Sequence, residues 1–573
     1  MTTETCYWLF CFVPVGTNHG TKIFGFSEFL AAVALLAVVY TIADVRYKFR
    51  IAVTPGVLSS LYVTTFILIG IIGLQTLLTE IWIDEGWWVP KTVGLTRSTW
   101  QGIFGMLFLG TILTWMYYAF IRPPIFGRRN ALRFARELYR YILRGNDDEL
   151  KVIANELARS AKSLIKYCRH LPPRFPDEGT PPKRVTKRKA EVEGYAYDIL
   201  LLIANRKFCR QIVVASPVTA QAFFEEMTSA KKYHIPMGQF ARNISSEAVV
   251  QKGSFLYGEA EGYSSGLLGY LKPVSQAVYG DYLLVEALAS YDASPLDIEY
   301  EEQYAWDAKQ WEVFCRATLM TLEDCLDKGR GSGNSYALNR AMHSMEYAYR
   351  DVYKLNDVPD EYDSDVSARL RVVAEFVRAA IGLINKQPIP PKPLHRIREH
   401  TFPKNIYDHL AHLIFKMCFA ASTVKSPPDT CWSIHYIIVW SMVFARSNDD
   451  GAAWKIVQFK VRRLLYDEIA RLAKVPNYKG SGILGFCLNV LGMKTGSSKE
   501  NYGKDAYALA KAIHSWSRKH YLTMRQENAD VAESVLIGSV SFDEAGGRLV
   551  KTYLKGLDRE APKEYLELDP PVR

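Results

Sequence analysis

The chain has 573 residues, 49% of them apolar and 23% charged, with a formal net charge of +10. That composition is ordinary for a globular protein and excludes a chain built wholly of membrane spans. The length suits two to four domains. The charge is local: from Arg122 to Arg210 there are 21 Lys/Arg against 10 Asp/Glu, so the remainder is close to neutral and no nucleic acid is expected as a partner.

Residues 1–23 read as an extracytoplasmic tail. The apolar patch "YWLFCFVPV" at 7–15 is too short to span, and no basic region precedes it, so it is not a signal peptide. Cys6 and Cys11 can form a disulfide in an oxidising compartment. Three apolar runs fill 24–121, at 24–43, 55–79 and 98–121, each near the roughly 20 residues a bilayer requires. Glu28 is the single charge in the first and reads as an interfacial anchor. "RYKFR" (46–50) and the arginines after span three mark the cytoplasmic flanks. Glu80, Asp84, Glu85 and the tryptophans Trp82, Trp87 and Trp88 mark the outer loop at 80–97. The expected protein therefore sits in a plasma or inner membrane, N-terminus outside and 122–573 inside. On span two, Thr64, Thr65, Gln75 and Thr76 are candidate pore-lining residues. Gly70, Gly73, Gly102, Gly105 and Gly110 permit close helix approach and point to a homo-oligomer.

Residues 122–171 form a basic juxtamembrane segment. After Pro123 and Pro124 a helix is expected from near Arg128, carrying Arg128, Arg129, Arg133, Arg136, Arg140 and Arg144 beside Leu132, Phe134, Leu138, Ile142 and Leu143. Two readings stay open: a core helix with a solvated arginine face, or a helix lying on anionic headgroups. A helix over 147–168 with a capping Asp follows. Residues 172–191 are a Pro-rich basic linker.

The cytoplasmic region divides into 192–299 and 300–573. The 3.6-residue spacing predicts helices at about 192–211, 217–231, 305–328, 334–355, 364–386, 403–422, 432–446, 452–474 and 501–527. The apolar stretch 432–445 has 14 residues, which suits a buried helix better than a fourth span. Between them, 247–282 is rich in Gly and Tyr and reads as irregular, with a hairpin turn at Gln251–Ser254. It lacks a phosphate-loop motif. Tyr257, Glu259, Glu261 and Tyr263 are the residues that a ligand pocket there would use.

Candidate chemistry is sparse. His395, His400, His409 and His412 fall in "HRIREHTFPKNIYDHLAH", with Asp408 beside them, a donor set that suits zinc or iron. No HExxH, GxSxG or dinucleotide fingerprint is present, so no catalytic residue and no cofactor is assigned. The acidic stretch 292–307 lacks the spacing of a calcium loop. The fold expected is a mainly α membrane protein: three N-terminal transmembrane helices and a large helical cytoplasmic region. The function expected is a membrane-anchored interaction or sensor protein with a ligand or protein partner on the cytoplasmic side. Two alternatives are an oligomeric channel or membrane-perturbing effector, and a membrane-bound metal-dependent hydrolase.

Overall fold

Long apolar runs become helices because a helix pairs its backbone groups within the segment. In the computed structural model these runs are α1 (Phe26–Ile42), α3 (Gly56–Asp84) and α4 (Arg97–Met116), with the short α2 (Val45–Ala52) between the first two. The structure describes residues 5–7, 10–14, 24–42, 44–54, 56–90, 97–117, 121, 123–170, 187–260, 263–265, 269–331, 333–387, 403–444, 451–494, 503–553 and 561–570. The protein is mainly helical and divides into two units, Met1–Glu226 and Met227–Arg573.

Among the described residues one helical window, Ile67–Asp84, is long and apolar enough to cross a membrane, and Phe26–Leu35 is a shorter apolar stretch. Three runs were expected to qualify. α1 has 17 residues, and the 20 of α4 include Arg97, Ser98, Thr99 and Gln101. The three helices pack around Phe29, Ile72, Phe104 and Phe108. Gly73 lets them approach, since a Cβ there would stand 2.4 Å from the Phe29 ring. Most other large side chains point outward, with Leu35 66%, Leu74 56%, Met106 77% and Leu113 54% exposed.

The two ends of these helices meet different partners. At one end, β1 (Thr5–Tyr7), β2 (Phe10–Pro14) and β3 (Trp88–Pro90) form an antiparallel sheet in the order β1-β2-β3. It ties the tail to the α3–α4 loop. Cys6 lies opposite Cys11 in the register, and Cys11 is disulfide-bonded. At the other end α2 packs on α5 (Ala131–Arg144) and α6 (Asp147–Ala158).

The rest of the first unit is α7 (Ala161–Tyr167), α8 (Lys187–Leu202) and α9 (Arg206–Ala215); α10 (Pro217–Ser229) runs across the boundary. Two expected helices are each broken in two. The α6 cap is Asn146, in a capping box with Glu149, rather than an Asp, and the helix stops before Ser160. The run at 192–211 is interrupted where Asn205 accepts from the Phe208 N–H and starts α9.

The second unit begins with α11 (Gly238–Val250) and α12 (Phe255–Gly258). Gln251–Ser254 is a turn into α12, and the hairpin lies further on, between β4 (Tyr263–Ser265) and β5 (Gly269–Leu271). Then come α13 (Pro273–Tyr279), α14 (Tyr282–Tyr291), α15 (Tyr300–Gln303) and α16 (Ala308–Asp327). After them run α17 (Tyr336–Met345), α18 (Asp365–Asn385) and α19 (Ile406–Ala421). Asp307 and Gln310 close a capping box on α16, satisfying two backbone donors that a helix start otherwise leaves bare. α16 packs on α18 and buries Trp311 and Phe314. A π-wound segment, Ser433–Trp440, joins α20 (Pro428–Trp432) to α21 (Ser441–Phe444) and buries Ile434, Ile438 and Val439. Next are α22 (Ala452–Arg471), α23 (Tyr478–Leu491), α24 (Gly503–Glu527) and α25 (Ala529–Glu533). A three-stranded meander of β6 (Val540–Asp543), β7 (Arg548–Thr552) and β8 (Lys563–Glu567) follows.

Candidate functional site

The most specific polar geometry of the first unit lies where α2 meets α5 and α6. Arg50 donates from Nε and Nη2 to the two Glu156 oxygens at 2.8 and 2.6 Å. Arg46 Nε stands 3.4 Å from the same carboxylate. Arg50 and Glu156 are 5% and 7% exposed, so the pair is fixed by two parallel charge-assisted bonds rather than screened by water. Around it Phe49 meets Phe134 and Tyr141 edge-on, with ring centres 5.6 and 5.9 Å apart. Asn130 Nδ2 donates to the Val53 carbonyl at 2.8 Å. The "RYKFR" segment of α2 is therefore a docking element as well as a run of positive charge.

The helix expected near Arg128 begins at Ala131 and has a core face and an exposed basic face. Phe134, Leu138 and Ile142 are core, as is Ala131. Arg128, Arg129, Arg136, Arg140 and Arg144 are exposed and Arg133 is half-buried. Leu132, Tyr139 and Leu143 are also exposed, at 49%, 57% and 52%.

The histidine cluster does not assemble into a ligand set among the described residues, where no group of three or more His, Cys, Asp or Glu could hold a metal. His395 and His400 lie outside the described residues. Asp408 is paired with Lys460 at 2.7 Å and accepts from the Lys404 N–H at 3.0 Å. His409 Nε2 is 3.2 Å from Asn334 Oδ1, and burial pushes its pKa down to about 4. Burial lowers that of His412 as well.

In the Gly/Tyr-rich region, Glu259 is 5% exposed and accepts from the Val274 and Ser275 N–H groups at 3.1 and 2.9 Å. Its carboxylate caps α13. It also borders a cavity of about 220 Å³ with Lys272, Arg316 and Glu323. Tyr257 donates to the Val249 carbonyl at 2.7 Å, and burial raises its pKa to about 12. Glu261 lies outside the described residues; Tyr263 belongs to β4. On α3, Gln75 is exposed, whereas Thr76 is buried and donates to the Gly73 carbonyl at 2.8 Å. The side chains of Thr64 and Thr65 lie outside the described set. Glu28 accepts from the Gly25 N–H at 2.9 Å and so caps α1.

One constellation escaped sequence reasoning. Cys431 Sγ is 3.6 Å from both His435 nitrogens, and Asn489 Nδ2 is 3.1 Å from His435 Nδ1. The Ala421 carbonyl, 2.8 Å from Nε2, can only accept, so Nε2 carries the proton and Nδ1 accepts from Asn489. Cys, His and Asn in mutual reach is a pattern that thiol catalysis uses. Here the three are at most 1% exposed, and burial raises the thiol to about 12 and lowers the imidazole to about 4. Burial thus works against the thiolate that a nucleophile requires. The trio ties the π-wound segment to α23. Only the i, i+4 spacing of Cys431 and His435 was visible beforehand.

No protein-family model matches the chain, and no curated protein or solved structure is significantly similar to it.

Proposed function

We propose that the chain is a membrane-anchored interaction or sensor protein in which α1, α3 and α4 cross a plasma or inner membrane and hold a helical cytoplasmic module. The observation that carries this reading is the sorting of the helix ends. The tail and the α3–α4 loop share one sheet, while the α1–α3 connection docks on α5 and α6. Three helices that cross alternately bring their ends together in this way. At 1.5 Å per residue α3 reaches about 43 Å, more than the ~30 Å hydrocarbon core. The outward apolar side chains of α3 and α4 suit lipid better than water. Redox chemistry agrees: Cys11 is disulfide-bonded, whereas Cys168 and the six free cysteines after it are buried.

In this account the Arg50–Glu156 clamp joins the membrane part to the module, so a tilt or separation of α1 and α3 is felt at α5 and α6. The module's ligand would be a protein or small-molecule partner. Alkaline carbonate extraction of native membranes tests the anchor: the chain should stay with the membrane pellet. Release into the supernatant contradicts it.

A homo-oligomer, with or without a pore, is a second reading. It is favoured by Gly70, Gly102 and Gly110, where among the described residues nothing lies within 4 Å of the place a Cβ would take, unlike Gly73 and Gly105, which already face Phe29 and Phe24.

A further inference from the structure

We propose that the groove between α5 and α8 holds an acyl chain of an anionic membrane lipid, with the lipid's phosphate among the arginines of α5. The inference rests on the membrane reading above and deepens it, replacing a diffuse basic collar with a discrete lipid site.

The groove has a volume of about 550 Å³, within the range typical of small-molecule sites, roughly 300–1,000 Å³. Its walls are Leu132, Arg136 and Tyr139 from α5 and Tyr195, Asp198, Leu201 and Leu202 from α8, over Ala135 and Ile199, so Arg136 and Asp198 are the two charged groups of an otherwise apolar lining. Leu132, Tyr139 and Leu201 remain 49%, 57% and 46% exposed. A single exposed leucine needs no explanation. Three large apolar side chains around one groove leave apolar surface in water that a hydrocarbon chain would cover.

The order of the stripes on α5 selects the occupant. At 3.6 residues per turn, Phe134, Leu138 and Ile142 form the core face, and Leu132, Tyr139 and Leu143 form the stripe beside it. Arg133, Arg136, Arg140 and Arg144 form the next stripe. Glu137 is the single acid on this helix, 3.4 Å from Arg140, so most of the arginine stripe has no carboxylate on its own helix. Apolar groove beside cationic stripe is the complement of an acyl chain joined to an anionic headgroup. Position supplies the lipid. Ile121 is 73% exposed and Ile125 49%. α5 packs on α2, which begins at Val45 three residues after α1 ends at Ile42, so α5 lies beside the ends of the proposed spans.

The test uses the full-length chain in phosphatidylcholine nanodiscs containing a phosphatidylglycerol whose acyl chain carries a diazirine. After photolysis, adducts are mapped by mass spectrometry. The proposal expects adducts on α5 and α8 in addition to those on α3 and α4. Unlabelled phosphatidylglycerol should compete with the α5 and α8 adducts better than phosphatidylcholine does. Leu201→Asp should reduce those adducts by roughly tenfold, comparable to losing the burial of about two methylenes, with span labelling unchanged as the internal control of folding. Leu132→Asn serves the same purpose should Leu201→Asp not fold. Arg136→Gln combined with Arg140→Gln should erase the preference for the anionic lipid. Adducts on α3 and α4 alone overturn the groove proposal and leave the membrane reading standing. So does equal competition by both lipids, or groove labelling indifferent to Leu201→Asp and Leu132→Asn, as when a second copy or partner helix covers the groove. No adduct on any helix overturns both.

Discussion

Arg50 and Glu156 are 106 positions apart in the chain and meet as a buried, two-bond ion pair at 2.8 and 2.6 Å. Removing one member leaves the other charged and dry, which costs about 3–5 kcal/mol in buried pairs, whereas replacing both with apolar groups of similar size is often near neutral. Glu156→Ala should therefore lower the unfolding midpoint sharply, and Arg50→Met with Glu156→Leu should recover most of the loss. Denaturant titration in detergent checks this. A double variant as unstable as Glu156→Ala contradicts the account of the clamp.

Acid should weaken the second unit between pH 6.5 and about 4. His409 and His435 ordinarily titrate near 6.5, and burial lowers both to about 4 in the folded chain. In that window the unfolded chain binds protons that the folded chain refuses, so stability is full above 6.5 and falls as pH drops. His409→Gln preserves a partner for Asn334 and removes one titrating group. Thermal melting at pH 7.5, 6 and 4.5 should show a shallower decline for the variant than for the parent chain.

The cysteines make a separate prediction. Burial raises Cys325 and Cys431 to about 12 and pushes Cys315, Cys418 and Cys487 up as well. Thiolate is the reactive form, so the folded chain should react slowly with a disulfide reagent at pH 8. Unfolding should release seven thiols. Reduction should raise the count to all nine cysteines. Rapid reaction of the folded chain would contradict the burial.

Glycines separate packing within the chain from packing between chains. Gly73→Val should displace the Phe29 ring and destabilise the chain by about 1–3 kcal/mol, the usual range for overpacking. Among the described residues no atom lies within 4 Å of where a Cβ at Gly70 or Gly110 would stand, so Gly70→Leu and Gly110→Leu should leave the monomer folded while a homo-oligomer loses affinity. Mass measurement in mild detergent reads this. Oligomer mass indifferent to both leucines removes the case for a membrane-embedded interface.

Much of the helical fold was legible because periodic apolar spacing is local: α16, α18 and α24 lie close to where spacing and caps put them. What was missed depends on distant contacts. In α23, "YKGSGILGFCLNVL" carries three glycines that argue against a helix. They are used instead for close packing, with a Cβ at Gly485 standing 2.4 Å from the Val535 carbonyl. The three-stranded meander was hidden because "AGG" before β7 resembles any loop until β8 pairs with it. At the α2 junction the sequence shows only the sign of the arginines, since no local pattern links Arg50 to a glutamate on α6. The α5 and α8 groove likewise needs two helices separated by the 172–186 stretch.

The two ends of the apolar helices are proposed to lie on opposite sides of a membrane, and cysteine accessibility decides between that arrangement and its absence. Glu85 and Asp148 are both exposed and sit at opposite ends of this arrangement, and the native free thiols among the described residues are buried. In intact cells a membrane-impermeant maleimide should label Glu85→Cys at once and Asp148→Cys only after permeabilisation. Labelling of both before permeabilisation, or of Asp148→Cys alone, contradicts the account.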